Sequence, residues 1–130
     1  LRAGKARRIL KADQVFCRIH VDDIAGACLH LMHQATAGQW PAIVNVSDDC
    51  PAAPQDLLRY GAALLNCELP NEEPFELASR SMSSMARSFW SENRRVRNTL
   101  LCQQLGYALL HPDFKDGLQD CLRQESQFCS

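Results

Sequence analysis

The chain has 130 residues, 46% of them hydrophobic and 22% charged, with a formal charge of −1 at pH 7. That length supports one domain with a sizeable core, and the composition excludes intrinsic disorder, collagen-like repeats and a coiled coil. The charge offers no global field to nucleic acid, and no apolar run approaches the roughly 18 residues that a bilayer span requires.

Five basic residues and no acid lie between Leu1 and Lys11, leaving nine basic and fifteen acidic residues beyond. Such a split suits either a solvated helix end or loop, or an anionic partner. Val15 to Ile19 reads as a short strand. A helix follows, with Asp22 and Asp23 at its start, where a carboxylate caps free N–H groups. Ile24, Cys28, Leu31, Met32 and Ala35 mark its expected buried face, and Gly38 its stop. Ile43 to Val46 reads as a second strand, apolar enough to be covered on both faces. Pro54 is placed to open a helix whose apolar face is Leu57, Leu58, Gly61, Leu64 and Leu65. This alternation predicts an α/β layer structure.

Glu68 to Pro74 is expected to be extended. Met82, Met85, Ala86 and Phe89 recur at helical spacing, with Trp90 beside them; they suit core packing, or a pocket for a ring-bearing ligand. Asn93 is placed to cap a helix with Val96, Leu100, Leu101 and Leu105 inside and Gly106 at its end. Ala108 to Leu110 fits a very short strand. Pro112 and Asp113 open a last helix, with Phe114, Leu118, Cys121 and Leu122 facing inward and a frayed tail after Glu125. Gly117 should cost that helix about 1 kcal/mol relative to alanine.

The seven cysteines are odd in number, and none forms a C-x-x-C pair. They read as scattered reduced thiols of a cytoplasmic protein. Cys28 and Cys121 fall on apolar faces as small hydrophobes, and Cys129 should be exposed near the C-terminus.

Two segments carry possible chemistry. Arg94, Arg95 and Arg97 occupy the first turn of a predicted helix, where the helix dipole is already positive. Either an anion such as phosphate offsets them, or Glu92 and other carboxylates do. Arg18, His20, Asp22 and Asp23 meet at a strand–helix junction, a place where α/β sheets hold ligands. The aspartates read as caps, while Arg18 and His20 are as readily substrate contacts as structural groups. His30 and His33 lack a third metal ligand at a typical spacing, so no metal is expected. There is no G-x-G-x-x-G loop, G-x-x-x-x-G-K loop, G-x-S-x-G elbow or Tyr-x-x-x-Lys pair.

Four segments in order resemble a known family. Arg18-Ile19-His20-Val21-Asp22-Asp23-Ile24-Ala25 resembles the R-(I/V)-H-V-D-D-(I/V)-A segment of extended and atypical short-chain dehydrogenases/reductases, the NAD-dependent epimerase/dehydratase family. Val44-Asn45-Val46-Ser47-Asp48-Asp49 resembles the strand that follows it. Glu92-Asn93-Arg94-Arg95-Val96 through Leu105-Gly106-Tyr107 resembles the late N-K-R-V…L-G-W helix, and Pro112 through Leu118 the closing segment. The nearest branch is an atypical bacterial type described as nucleoside-diphosphate-sugar epimerase-like.

The resemblance implies a helix-rich α/β C-terminal fragment of a Rossmann-type fold, residues 1–130 being the substrate-binding portion. The family's Gly-rich loop, its catalytic Ser/Thr and its Tyr-x-x-x-Lys pair belong to an N-terminal dinucleotide-binding part absent here. The sequence, which opens at Leu1 with no apolar leader, accordingly reads as beginning inside a longer protein. In the family, NAD or NADP carries the hydride; this chain alone should bind no cofactor and perform no catalysis. Arg18, His20, Asn93 and Arg95 are the implied substrate-binding residues, forming a lid or its supporting shell. The implied partner is a small molecule, with a sugar nucleotide and a homo-oligomer as candidates, and no nucleic acid or membrane. Phe16 stands where sugar-nucleotide epimerases usually carry a phosphate-binding arginine, which counts against such a substrate. The alternatives are a non-enzymatic module that binds an anion or a partner protein, and an inactive truncated product.

Overall fold

The computed structural model describes residues 1–35 and 41–128. Gly38 and Cys129, each the subject of an expectation above, lie outside the described residues. The elements are β1 (Arg8–Leu10), α1 (Val21–Ala35), α2 (Pro54–Leu64), β2 (Glu72–Pro74), α3 (Phe75–Ala78), α4 (Ser84–Ser91) and α5 (Phe114–Phe128). A five-residue π-helical turn, Leu100–Gln104, precedes α5. Among the described residues the chain is helix-rich, with one two-stranded parallel sheet. The described residues form two compact units, each built from two stretches of chain.

The first unit comprises Leu1–Phe16 and Ala52–Arg95. β1 and β2 pair in parallel, Arg8 opposite Glu72, Ile9 opposite Glu73 and Leu10 opposite Pro74. Ile9 is buried, and the flanking arginines meet acids from the partner strand. Arg7 donates from Nε and Nη2 to the two oxygens of Glu73 at 2.9 and 2.7 Å, and Arg8 Nη2 donates to Glu72 Oε1 at 2.5 Å. The Arg7 hydrogen bond holds the Glu73 carboxyl below the usual range. Of the basic opening segment, Arg8–Leu10 is therefore a strand, and the anions that Arg7 and Arg8 meet belong to the chain itself. Pro54 stands at the first position of α2, as expected, and Gly61 is buried on its inner face. Trp90 packs on Phe16 and Phe75, each with ring centroids 5.5 Å apart. Met85 and Phe89 are 72% and 67% exposed, so the expected stripe is neither core nor pocket lining. Only Trp90, Ala86 and Met82 of that group are half-buried.

The second unit comprises Cys17–Pro51 and Val96–Ser130. Ala27, Leu101 and Tyr107 form its core, with Leu31, Val44, Val46, Cys102 and Leu109 packed against them. α1 buries Asp23 and Ala27, while Ile24, Cys28 and Met32 of the expected inner face are exposed. The inner side is instead the one small enough to admit the Tyr107 ring.

The expected strands at 15–19, 43–46 and 108–110 form no ladder. The first makes a single antiparallel bridge, Phe16 with Ala52. Val44 and Val46 pack inward while Ile43 is 80% exposed, so only one face is covered. The local signal was that of extended chain, but a strand also needs a partner at hydrogen-bonding distance.

The expected helix after Asn93 is absent between 92 and 98. Asn93 spends its side chain elsewhere, accepting from Val15 N at 3.1 Å and donating to Asp13 O at 2.8 Å. Gly106 does end the turn that follows, at φ 75°. Asp113 caps α5, accepting from Lys115 N at 2.7 Å and Asp116 N at 3.0 Å. The helix then runs on to Phe128, past the expected fraying point. The six described cysteines are free thiols, and Cys28 and Cys121 are exposed rather than buried on apolar faces.

Candidate functional site

The junction around residues 18–23 gathers polar groups of the second unit. Asp23 is fully buried. It does not cap α1; its Oδ1 accepts from Tyr107 Oη at 3.1 Å and Leu110 N at 2.7 Å, and its Oδ2 from His111 N at 2.9 Å. A buried carboxylate survives only when its oxygens are so satisfied. It fastens the chain after Gly106 to α1. Burial first, and the hydrogen bond to Asp23 second, push the Tyr107 phenol up to about 12. Gly26 makes the approach possible, since a Cβ there would lie 3.2 Å from Tyr107 Cζ and closer still to Oη.

His20 performs the capping assigned to the aspartates: its Nδ1 accepts from Asp22 N at 3.3 Å. Its ring lies 4.1 Å from that of His111, centroid to centroid, and rests against Gly117 of α5, where a Cβ would be 3.2 Å from His20 Cδ2. Gly117 thus leaves room for the imidazole. Asp22 Oδ2 lies 3.7 Å from His20 Nδ1, and Asp120 Oδ2 lies 3.8 Å from His111 Nε2. The cluster of His20, Asp22, His111 and Asp120 was not legible, because His111 and Asp120 stand 89 to 100 positions further along the chain than His20 and Asp22. His30 Nε2 bonds Leu105 O at 2.7 Å, and neither His30 nor His33 belongs to the group of His20, Asp22, His111 and Asp120.

Arg18 is half-buried. Burial lowers its pKa from the usual arginine value, against the pull of the Asp48 carboxylate; burial in turn raises that of Asp48. Arg18 O accepts from Asp48 N at 2.8 Å. Asn98 ties the same loop, donating from Nδ2 to Ser47 O at 3.0 Å and Asp49 Oδ1 at 2.7 Å. Of the four expected substrate residues, Arg18 and His20 belong to the second unit, and Asn93 and Arg95 to the first. Arg94, Arg95 and Arg97 lie in non-helical chain and are exposed, so no helix N-terminus adds to them. Arg94 Nη2 pairs with Glu92 Oε1 at 2.8 Å, the carboxylate alternative of the two considered.

The fold itself has solved counterparts. The human epimerase family protein SDR39U1 (isoform 2), solved with NADPH, matches at TM-score 0.74 and 19% identity, over 92% of this chain and 39% of that one. A functionally unknown conserved protein from Silicibacter pomeroyi DSS matches at TM-score 0.82 and 42% identity, over 93% of this chain and 41% of that one. The helix-rich Rossmann-type α/β fold read from the motifs is therefore the fold present, shared with about two-fifths of each of these solved chains.

In sequence the chain is 29% identical over 100 residues to a 3-diazoavenalumate denitrifying reductase from a Streptomyces species, covering 77% of this chain and 32% of the reductase. No protein-family model matches. The chain thus spans about two-fifths or less of each relative's length. No helix among the described residues is long and apolar enough to cross a membrane.

Proposed function

We propose that this chain is the substrate-side part of an NAD(P)-dependent oxidoreductase or epimerase, with the dinucleotide held by a part that the resemblance places N-terminal to it. The likeness to the reductase, spread over 77% of the chain, carries the reading; the NADPH in the human structural neighbour supports the choice of cofactor. The chain's own residues do not fit the dinucleotide. They include no Gly-rich loop after a strand and no Tyr-x-x-x-Lys pair, so no hydride step runs through them.

What these residues offer is binding. Arg18 is a half-buried fork of donors, well suited to a carboxylate or phosphate. His20 belongs to its supporting shell through the cap on α1; Arg95 is a separate exposed cation of the first unit, where Asn93 positions the chain by bonding the 13–15 segment. Hydride transfer needs its substrate held in register with the nicotinamide, and oriented cations do that for an anionic substrate.

A segment swap tests this reading. This chain would replace the matching segment of the Silicibacter pomeroyi protein, with UDP-glucose and 3-diazoavenalumate as anionic probes in the presence of NADPH. At least one probe should raise the Tm of the swapped protein, and Arg18→Ala should reduce that shift while leaving NADPH affinity unchanged. A shift that survives both Arg18→Ala and Arg95→Ala contradicts the assignment.

A further inference from the structure

The cluster of His20, Asp22, His111 and Asp120 has no role in the binding just described beyond the cap His20 makes. Each of the four side chains offers a ligand atom, and these atoms all lie within 4.8 Å of one another. The two histidine side chains are nearly buried, at 7% and 13% exposure, and Asp120 is at 5%; Asp22 stands at the rim. Three separate stretches of chain contribute: the start of α1, the loop before α5, and α5 itself. We propose that these four residues form a binding site for one transition-metal dication, Zn²⁺ in the first place.

Donor chemistry selects the ion. Two imidazoles and two carboxylates suit Zn²⁺, with Co²⁺ and Ni²⁺ behind it, rather than Ca²⁺ or Mg²⁺, which prefer all-oxygen sets. A tetrahedral site with bonds of about 2.0–2.1 Å places its ligand atoms roughly 3.3 Å apart. The pairs at 3.7 and 3.8 Å are already near that separation; the widest, at up to 4.8 Å, would close by about 1.5 Å, and a metal on His20 Nδ1 would take the place of the hydrogen bond from Asp22 N.

The outer contacts are in place as well. Asp120 Oδ1 takes the guanidinium of Arg123, which leaves Oδ2 turned toward His111, an outer-shell arrangement that orients a carboxylate ligand. Gln124 Nε2 donates to Asp120 Oδ2 at 2.7 Å and to Asp22 Oδ2 at 3.4 Å. An amide nitrogen thus bridges the two carboxylates where a cation would bridge them. Gln124 is exposed and can turn outward to yield that place. Four protein ligands with no open position make the site structural, pinning α5 to the start of α1.

Co²⁺ is the probe, because tetrahedral coordination gives it an intense visible d–d spectrum. The full chain, freed of metal by chelation, should bind one Co²⁺ with that spectrum, and Zn²⁺ should displace it and raise Tm. His111→Gln and Asp120→Asn should each weaken binding at least tenfold. Gln124→Ala, a surface change that tests the site without disturbing folding, should preserve or tighten it. An octahedral spectrum, no binding, or binding unaltered in both His111→Gln and Asp120→Asn overturns the proposal. So does a thiolate charge-transfer band in those variants, which would place the ion on the cysteines.

Discussion

Asp23, Gly26 and Tyr107 form the tightest set of dependencies in the second unit. Asp23 is buried because three donors meet it, and Tyr107 reaches it only because residue 26 has no side chain. Gly26→Ala should therefore destabilise by about 1–3 kcal/mol, as overpacking of a fitted core does, although alanine is the better helix former. A urea midpoint unchanged or raised in this variant would show that the ring can move aside.

Tyr107 also sets a pH dependence. Its folded pKa of about 12 stands above the ordinary 10.0, so folding favours the neutral phenol. That contribution is complete below the unfolded value and is lost as pH rises through the folded one. The wild type should lose stability across this alkaline window more steeply than Tyr107→Phe. At neutral pH the variant should be the weaker by about 1–2 kcal/mol, since Asp23 loses one donor. Parallel alkaline melts of the two proteins would contradict this.

Helices with local punctuation were legible. Pro54 opens α2 and Asp113 caps α5, and both devices act over a few residues. The face of α1 was not, because apolar periodicity cannot say that the buried side is the one with Gly26, Ala27 and a satisfied Asp23. Most of its larger apolar residues point outward instead: Val21, Ile24, Leu29 and Met32 are exposed, while Leu31 packs on the core. Such a stripe favours association in water. The chain on its own should self-associate with rising concentration, and Ile24→Glu with Met32→Lys should reduce this in sedimentation velocity. A wild-type monomer at all concentrations would contradict it. Strands were the least legible, since β1 and β2 pair residues more than sixty positions apart. Nothing within Arg7–Leu10 announces that Glu72 and Glu73 will meet its arginines.

For the molecule as a whole, the four ordered motifs carried more than composition or periodicity did. Their implied fold is present, though the segments they name perform local tasks that the motifs did not disclose: His20 caps a helix, Asp23 fastens a loop, and Asn93 bonds the 13–15 segment. These tasks hold backbone geometry, while the candidate substrate residues Arg18 and Arg95 rest on chemistry alone. On the proposed reading, this chain grips a reactant while a separate part holds the dinucleotide. Titration with NADPH, read by its fluorescence, tests it most directly on two proteins: this chain alone, and the Silicibacter pomeroyi protein carrying this chain in place of its matching segment. Enhancement is expected with the swapped protein and none with the chain alone. NADPH binding by the isolated chain, or none by the swapped protein when its parent binds, would contradict it.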